Sequence, residues 1–281
     1  MSEKAENSSD IKSEIVDYYL ESFSEASRLR ESQNLIELLR TRDILERSLP
    51  APPAVVLDVG GAAGVYTLWL LEKGYEVHLI DPVTTHVELA KEAISKLPGK
   101  PAASATVGHA GNLNHDDASV DVVLLMGPLY HLTEKRERTR CLLETLRVLR
   151  PGGLVFAVGI TRFASLIDGL HSGFLEDPEF VKIVARDLED GRHRNPTDNP
   201  FYWTDAYFHL PQELETEVRD AGFRDTKLLA IEGPGWAAND FNKFTTDPKL
   251  SRHFFDFLRK VEAERSLVGA SPHLAVLAHK P

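Results

Sequence analysis

The stretch Val55-Val56-Leu57-Asp58-Val59-Gly60-Gly61-Ala62-Ala63-Gly64 constrains this chain more than any other. Its first half is a short β-branched apolar run, bounded by Pro52 and Pro53 before and by glycines after, the pattern of a buried strand. The apolar spacing of Val65-Tyr66-Thr67-Leu68-Trp69-Leu70-Leu71 suits a helix packed on a sheet. Strand, tight glycine turn and helix together make a nucleotide-binding element. Missing Cβ atoms let a ligand approach the backbone, and the helix N-terminus presents unpaired N–H groups.

Spacing narrows the ligand. A phosphate loop needs a lysine after its last glycine, and none follows Gly64. The dinucleotide fingerprint needs glycine at 62 and 65 if it begins at Gly60, but Ala62 and Val65 stand there. What remains is Asp58-x-Gly60-x-Ala62-x-Gly64. It resembles the Asp/Glu-x-Gly-x-Gly-x-Gly signature of class I S-adenosylmethionine (SAM) dependent methyltransferases, with alanine at the middle glycine. The resemblance implies that Asp58, Gly60, Gly61, Ala62 and Gly64 surround the amino-acid part of SAM, with Asp58 as acidic neighbour of its ammonium group. An ordinary glycine turn in another α/β domain is the plain alternative.

A second strand, Glu76–Ile80, ends in Asp81-Pro82. A carboxylate at this strand tip, about 20 residues beyond the glycine turn, is where a ribose with free hydroxyls is held. SAM and NAD share that requirement, whereas a 2′-phosphate would be repelled. The helix from about Thr84 to Lys96 carries His86, expected at the surface, and a third strand is expected near Ala103–Val107. The segment Gly108-His109-Ala110-Gly111-Asn112-Leu113 resembles the family stretch that contacts adenine. By that match His109 replaces the acidic residue that accepts from the adenine amino group; a neutral imidazole nitrogen accepts the same bond. Ala110 and Gly111 would offer backbone N–H to the ring, and Leu113 would pack on it.

The fourth strand, Asp121–Met126, runs into Gly127-Pro128-Leu129-Tyr130-His131-Leu132. Ligands of open α/β sheets sit outside the carboxyl ends of the strands, so Met126 and Gly127 should meet the cofactor. The segment resembles one found in bacterial small-molecule methyltransferases. Methyl transfer needs in-line attack, which an enzyme promotes by positioning, and a base near neutral pH helps an acceptor that carries a proton. His131 is the candidate base and Tyr130 the positioning group; a helix-capping role for His131 is the alternative, and His171 and His209 are weaker candidates.

Residues 1–50 are expected to form a helical lid, with Tyr18, Tyr19 and Arg28 toward the ligand and Arg28 pairing with the methionine carboxylate. Residues 51–281 make the methyltransferase domain, within which 161–210 is a breaker-rich, mobile insertion after strand five. Its aromatic run, Phe201–Phe208, either lines an acceptor pocket or anchors the insertion. Strands at Phe223–Ile231 and Leu274–Ala278 complete the pattern. The fold class is α/β: a Rossmann-like, seven-stranded, mostly parallel sheet whose last strand is antiparallel.

The net charge of −11 over 281 residues argues against a general nucleic-acid surface. Cys141 is the only cysteine, so no disulfide framework exists, and no segment has metal-ligand spacing. The polar, acidic first residues and the lack of a long apolar run predict a cytoplasmic protein without a membrane span. The expected activity is methyl transfer from SAM to an oxygen or nitrogen of a small-molecule acceptor, leaving S-adenosylhomocysteine (SAH). The alternatives are a protein- or RNA-modifying enzyme and a SAM-binding protein without turnover; an NAD oxidoreductase is disfavoured by Ala62 and Val65.

Overall fold

The computed structural model describes residues 35–99, 101–238 and 240–281. Strand β1 (Val55–Val59) is central, pairing in parallel with β2 (Glu76–Asp81) on one side and β4 (Val120–Leu125) on the other. Beyond β2 lies β3 (Ala103–Val107) and beyond β4 lies β5 (Leu149–Thr161), both parallel to their neighbours. β9 (His273–His279) runs antiparallel along Leu154–Ile160 of β5, and β8 (Arg224–Ala230) runs antiparallel to β9. The seven expected strands are therefore present, with β9 as the antiparallel one. Because the chain leaves β1 for β2 and returns to its other side as β4, a crevice opens at their carboxyl ends, where ligands of such sheets bind.

Parallel strands covered on both faces carry continuous apolar runs, and these do. Val56, Val77, Leu79, Val122 and Leu124 face one layer, packed with residues of α1 (Leu35–Ser48), α2 (Val65–Glu72) and α3 (Thr84–Ser95). Leu57, Val59, Val123 and Leu125 face the other, against α5 (Lys135–Val148) and α8 (Pro211–Asp220). Between β4 and α5 stands one short turn, α4 (Pro128–His131). Cys141 lies inside the α5 layer, where burial pushes its thiol up to about 12, an inert core group.

Helix α1 docks through Ile44 and Leu45 and through the buried Arg40, which donates to Ile231 O at 3.0 Å and to Glu262 Oε2 at 2.6 Å. The remainder of the expected lid, with Tyr18, Tyr19 and Arg28, lies outside the described residues. Among the described residues no helix is long and apolar enough to cross a membrane.

The insertion after β5 holds α6 (Ala164–Ser172) and α7 (Pro178–Asp190), closed around Phe180, Ile183, Val184 and Tyr202. It also adds two strands that the sequence did not announce: β6 (Arg192–His193) pairs antiparallel with β7 (Ala206–His209), and β7 pairs in parallel with Ile160 and Thr161 of β5. The breaker-rich link, expected to be mobile, is bonded internally. His193 Nδ1 lies 2.8 Å from Asp187 Oδ2 and its Nε2 2.8 Å from Tyr202 O, while Asn195 donates to Asn199 O and Trp203 O. Two further helices, α9 (Asn242–Thr246) and α10 (Pro248–Val261), precede β9.

Candidate active site

Three segments converge at the crevice beside β1. In the turn after β1, Gly60, Ala62 and Gly64 have φ of 74°, 46° and 86°, the left-handed region that glycine tolerates. Ala62 therefore holds a conformation that disfavours its own side chain. Its N–H donates to Asp81 Oδ2 at 2.9 Å, a charge-assisted bond that offsets the strain. At Gly61 the constraint is space: a Cβ would stand 2.7 Å from Asp58 Oδ2 and 2.8 Å from Leu79 Cδ1. At Gly60 a Cβ would meet Pro128 Cδ at 2.9 Å, so the turn lies directly against the segment after β4.

Asp58 is fully buried beneath this turn. Its Oδ2 accepts from Thr67 Oγ1 at 2.7 Å, whereas Oδ1 has no hydrogen-bond partner among the described residues. Burial pushes the carboxyl up to about 6, against the Thr67 bond and with help from the nearby Asp81 charge. An orphaned buried oxygen next to a backbone cradle suits a ligand carrying a cationic or hydrogen-bonding group. The paired carboxylates make the same crevice a poor host for a pyrophosphate.

Asp81 sits at the tip of β2 with Pro82 beside it. Its Oδ1 accepts from Val83 N at 2.9 Å and lies 3.2 Å from His86 Nδ1, and its Oδ2 takes the Ala62 amide. A carboxylate oxygen has two lone pairs, so one on Oδ2 is left for an incoming hydroxyl. Protein donors thus occupy most of this carboxylate. The surface placement expected for His86 is also corrected: the residue is 9% exposed. Helix α3 starts straight after Asp81-Pro82-Val83, and its first turn carries the imidazole back over the carboxylate.

The next segment is tied to the same strand end, with Gly108 N donating to Asp81 O at 3.1 Å. His109, Ala110 and Gly111 are half-buried around it, and His109 Nδ1 has no hydrogen-bond partner among the described residues. Leu113 is different: it is 3% exposed and packs in the α5-side core, with its amide donating to Glu144 Oε2. Its side chain belongs to the core and not to the open face of the loop.

After β4, Met126 and Gly127 lead into α4. Tyr130 donates its hydroxyl to Met126 O at 2.8 Å, and its ring centroid lies 4.7 Å from that of His131. Both side chains are half-buried at this end of the sheet. The other two histidines are placed elsewhere. His209 is fully buried, 3.5 Å from Glu217 Oε2, and burial pulls its pKa down; His171 is exposed near the end of α6. Within the aromatic run Tyr202 and Phe208 are buried and Trp203 packs on the Phe208 cluster, while Phe201 is exposed.

The structure thus gathers Asp58, the turn 60–64, Asp81, the loop 108–111 and the segment 126–131 at one crevice. Thr67 and His86 escaped sequence reasoning because each acts on a carboxylate through folded geometry, without a local motif. Glu37, Glu232 and His273 also come together, with one ligand-type atom each within 4.8 Å of one another. Internal bonds account for Glu232, which takes Ser271 Oγ at 2.7 Å, His273 N at 3.0 Å and His273 Nδ1 at 2.6 Å.

Residues 56–153 match a family model described as a methyltransferase domain. An uncharacterized methyltransferase of Mycobacterium tuberculosis strain H37Rv is 33% identical over 153 residues, covering 54% of this chain and 56% of that protein. The chain therefore spans about half the length of the curated relatives it matches. A SAM-dependent methyltransferase of Methanosarcina mazei shares the fold with a TM-score of 0.57 at 20% identity, over 84% of this chain and 96% of that one. One from Aquifex aeolicus does so with a TM-score of 0.51 at 16% identity, over 89% and 98%.

Proposed function

We propose that the chain is a class I SAM-dependent methyltransferase, a reading supported by the methyltransferase domain matched at residues 56–153, and that it methylates an oxygen or nitrogen of a small-molecule acceptor by in-line displacement. One observation carries the reading. The glycine turn is bonded to Asp81 on one flank and packed against Pro128 on the other, so cofactor cradle and reacting edge form one continuous wall.

When bound, SAM supplies an electrophilic methyl carbon on a sulfonium, and SAH is left after transfer. In this reading Asp58 and the first-turn amides of α2 face the amino-acid part, and the remaining lone pair of Asp81 Oδ2 takes a ribose hydroxyl. His109, Ala110 and Gly111 edge the adenine, and Met126 and Gly127 line the approach to the sulfur. Tyr130, fixed by its bond to Met126 O, orients the acceptor. With an acceptor seated, SAM would supply the methyl carbon and its sulfur the leaving group, and His131 would receive the acceptor's proton.

The test is calorimetry with SAH and NAD, followed by labelled SAM offered with fractionated cell extract. Tight SAH binding, no NAD binding and label in a low-mass fraction support the reading. Label in protein or RNA would move the acceptor to a macromolecule, and binding without any label transfer would leave a SAM-binding protein. His131→Ala should lower label transfer while sparing SAH affinity; unaltered transfer removes His131 as base.

A further inference from the structure

Arg138 stands on the first turn of α5 and is only 2% exposed. Its Nη1 donates to Leu132 O and Thr133 O, at 3.0 Å each, immediately after α4. Its Nε and Nη2 grip Glu217 of α8 at 2.9 and 2.8 Å, a bidentate pair. Its guanidinium also lies 3.8 Å from the ring centroid of Tyr207, on strand β7 of the insertion. Burial opposes ionisation of Glu217, but the bonds from Arg138 and His209 bring its carboxyl down to about 2, so the pair stays charged.

One side chain thus fastens three chain-distant pieces: the end of the segment bearing Tyr130 and His131, the insertion hairpin, and α8. Only arginine has the donor geometry for this. A lysine ammonium cannot reach two successive carbonyls and both oxygens of a carboxylate while stacking on a ring. We propose that Arg138 is a positioning residue for methyl transfer, holding the Tyr130–His131 turn in register with the hairpin that walls the acceptor side. The proposal rests on reading 126–131 as the reacting edge.

Arg138→Lys and the milder Tyr207→Leu test it by SAH calorimetry, amide hydrogen exchange and label transfer from SAM into the cell-extract fraction. In Arg138→Lys, SAH affinity should stay within about twofold while amides of 129–134 and 206–209 exchange about tenfold faster, those of β1, β2 and β4 holding steady. Label transfer should fall about tenfold, a loss of transfer without loss of cofactor binding. Tyr207→Leu should loosen the same two segments by less, and it decides the matter alone if Arg138→Lys does not fold. Unchanged exchange at 129–134, or faster exchange spread over all strands with SAH affinity falling in step, would overturn the proposal. A wild-type protein that bound no SAH would overturn the parent reading instead, and the exchange comparison would still judge the clamp.

Discussion

Asp81 Oδ2 accepts the amide hydrogen of Ala62 at 2.9 Å, so the carboxylate at the tip of β2 is bonded to the turn that follows β1. This bond joins two expected ligand contacts into one object. It also explains how an alanine is held at φ 46°, a backbone state usually left to glycine.

Replacing Asp81 with alanine should therefore act twice. The proposed ribose contact would be lost, and the amides of Ala62 and Val83 lose their acceptor. A bond to a charged group is worth roughly 1.5–3 kcal/mol, so SAH affinity should fall by about 10- to 150-fold in calorimetry. Asp81→Asn should fall less, because its remaining oxygen accepts from one amide. An affinity equal to wild type in Asp81→Ala removes the ribose assignment.

Binding should depend on pH through Asp58. Its carboxyl stands at about 6 in the folded chain because it is buried, above the ordinary 3.8 of an aspartate. A raised acid pKa means that the folded state keeps a proton that the unfolded chain releases. This group accordingly favours folding most at low pH and opposes it as pH rises from 3.8 through about 6. A ligand ammonium favours the ionised form, so SAH should bind with release of a proton, and its affinity should fall as pH drops below about 6, by at most about tenfold per pH unit. Calorimetry in buffers of different ionisation heat reads that proton directly. A flat profile from about pH 5 to pH 7 defeats the assignment of Asp58.

Gly61→Ala should damage the cradle without any change of charge. The added Cβ would stand 2.7 Å from Asp58 Oδ2, in the floor of the turn. Overpacking of this kind costs about 1–3 kcal/mol, which the denaturant midpoint would register. SAH affinity should fall with it, and a variant that binds SAH normally would show the turn to be more pliant than its contacts imply.

Acid sensitivity should trace in part to Glu217. Its carboxyl, despite burial, is held down to about 2 by Arg138 and His209, against an ordinary 4.5. A depressed carboxyl contributes stability that is present above 4.5 and lost as pH falls toward about 2. Glu217→Gln should start less stable at neutral pH and lose less on acidification across that window, as followed by circular dichroism. Parallel acid titrations of the two proteins would remove Glu217 from the account.

The sheet was legible because buried parallel strands write themselves as apolar runs. Ala103–Val107 was placed to the residue, and β4 and β8 within one or two, since few other structures suit such runs. The cradle was legible because steric demands at Gly60 and Gly64 leave a mark at fixed spacing. What stayed hidden depends on long-range geometry. His86 looked like a polar surface residue on an amphipathic helix, but the helix entry turns it onto Asp81. β6 and β7, two and four residues long, were too short to show periodicity; the end of β5 offers β7 backbone partners, and β7 in turn holds β6. Arg138 sits in Lys135-Arg136-Glu137-Arg138, whose mixed charges suit a solvated helix face, though Glu217, 79 positions on, draws it inside.

Strand β5 is long enough to do two jobs in sequence: Leu154–Ile160 lie along β9, while Ile160 and Thr161 accept β7. The hairpin therefore grafts onto the tip of β5, at the end of the stretch paired with β9. A different loop of similar reach, spliced between residues 162 and 205, would leave the donor cradle on β1 and β2 undisturbed. Under the proposed function, acceptor choice and cofactor capture would then be separable modules, with the boundary between them running across a single strand.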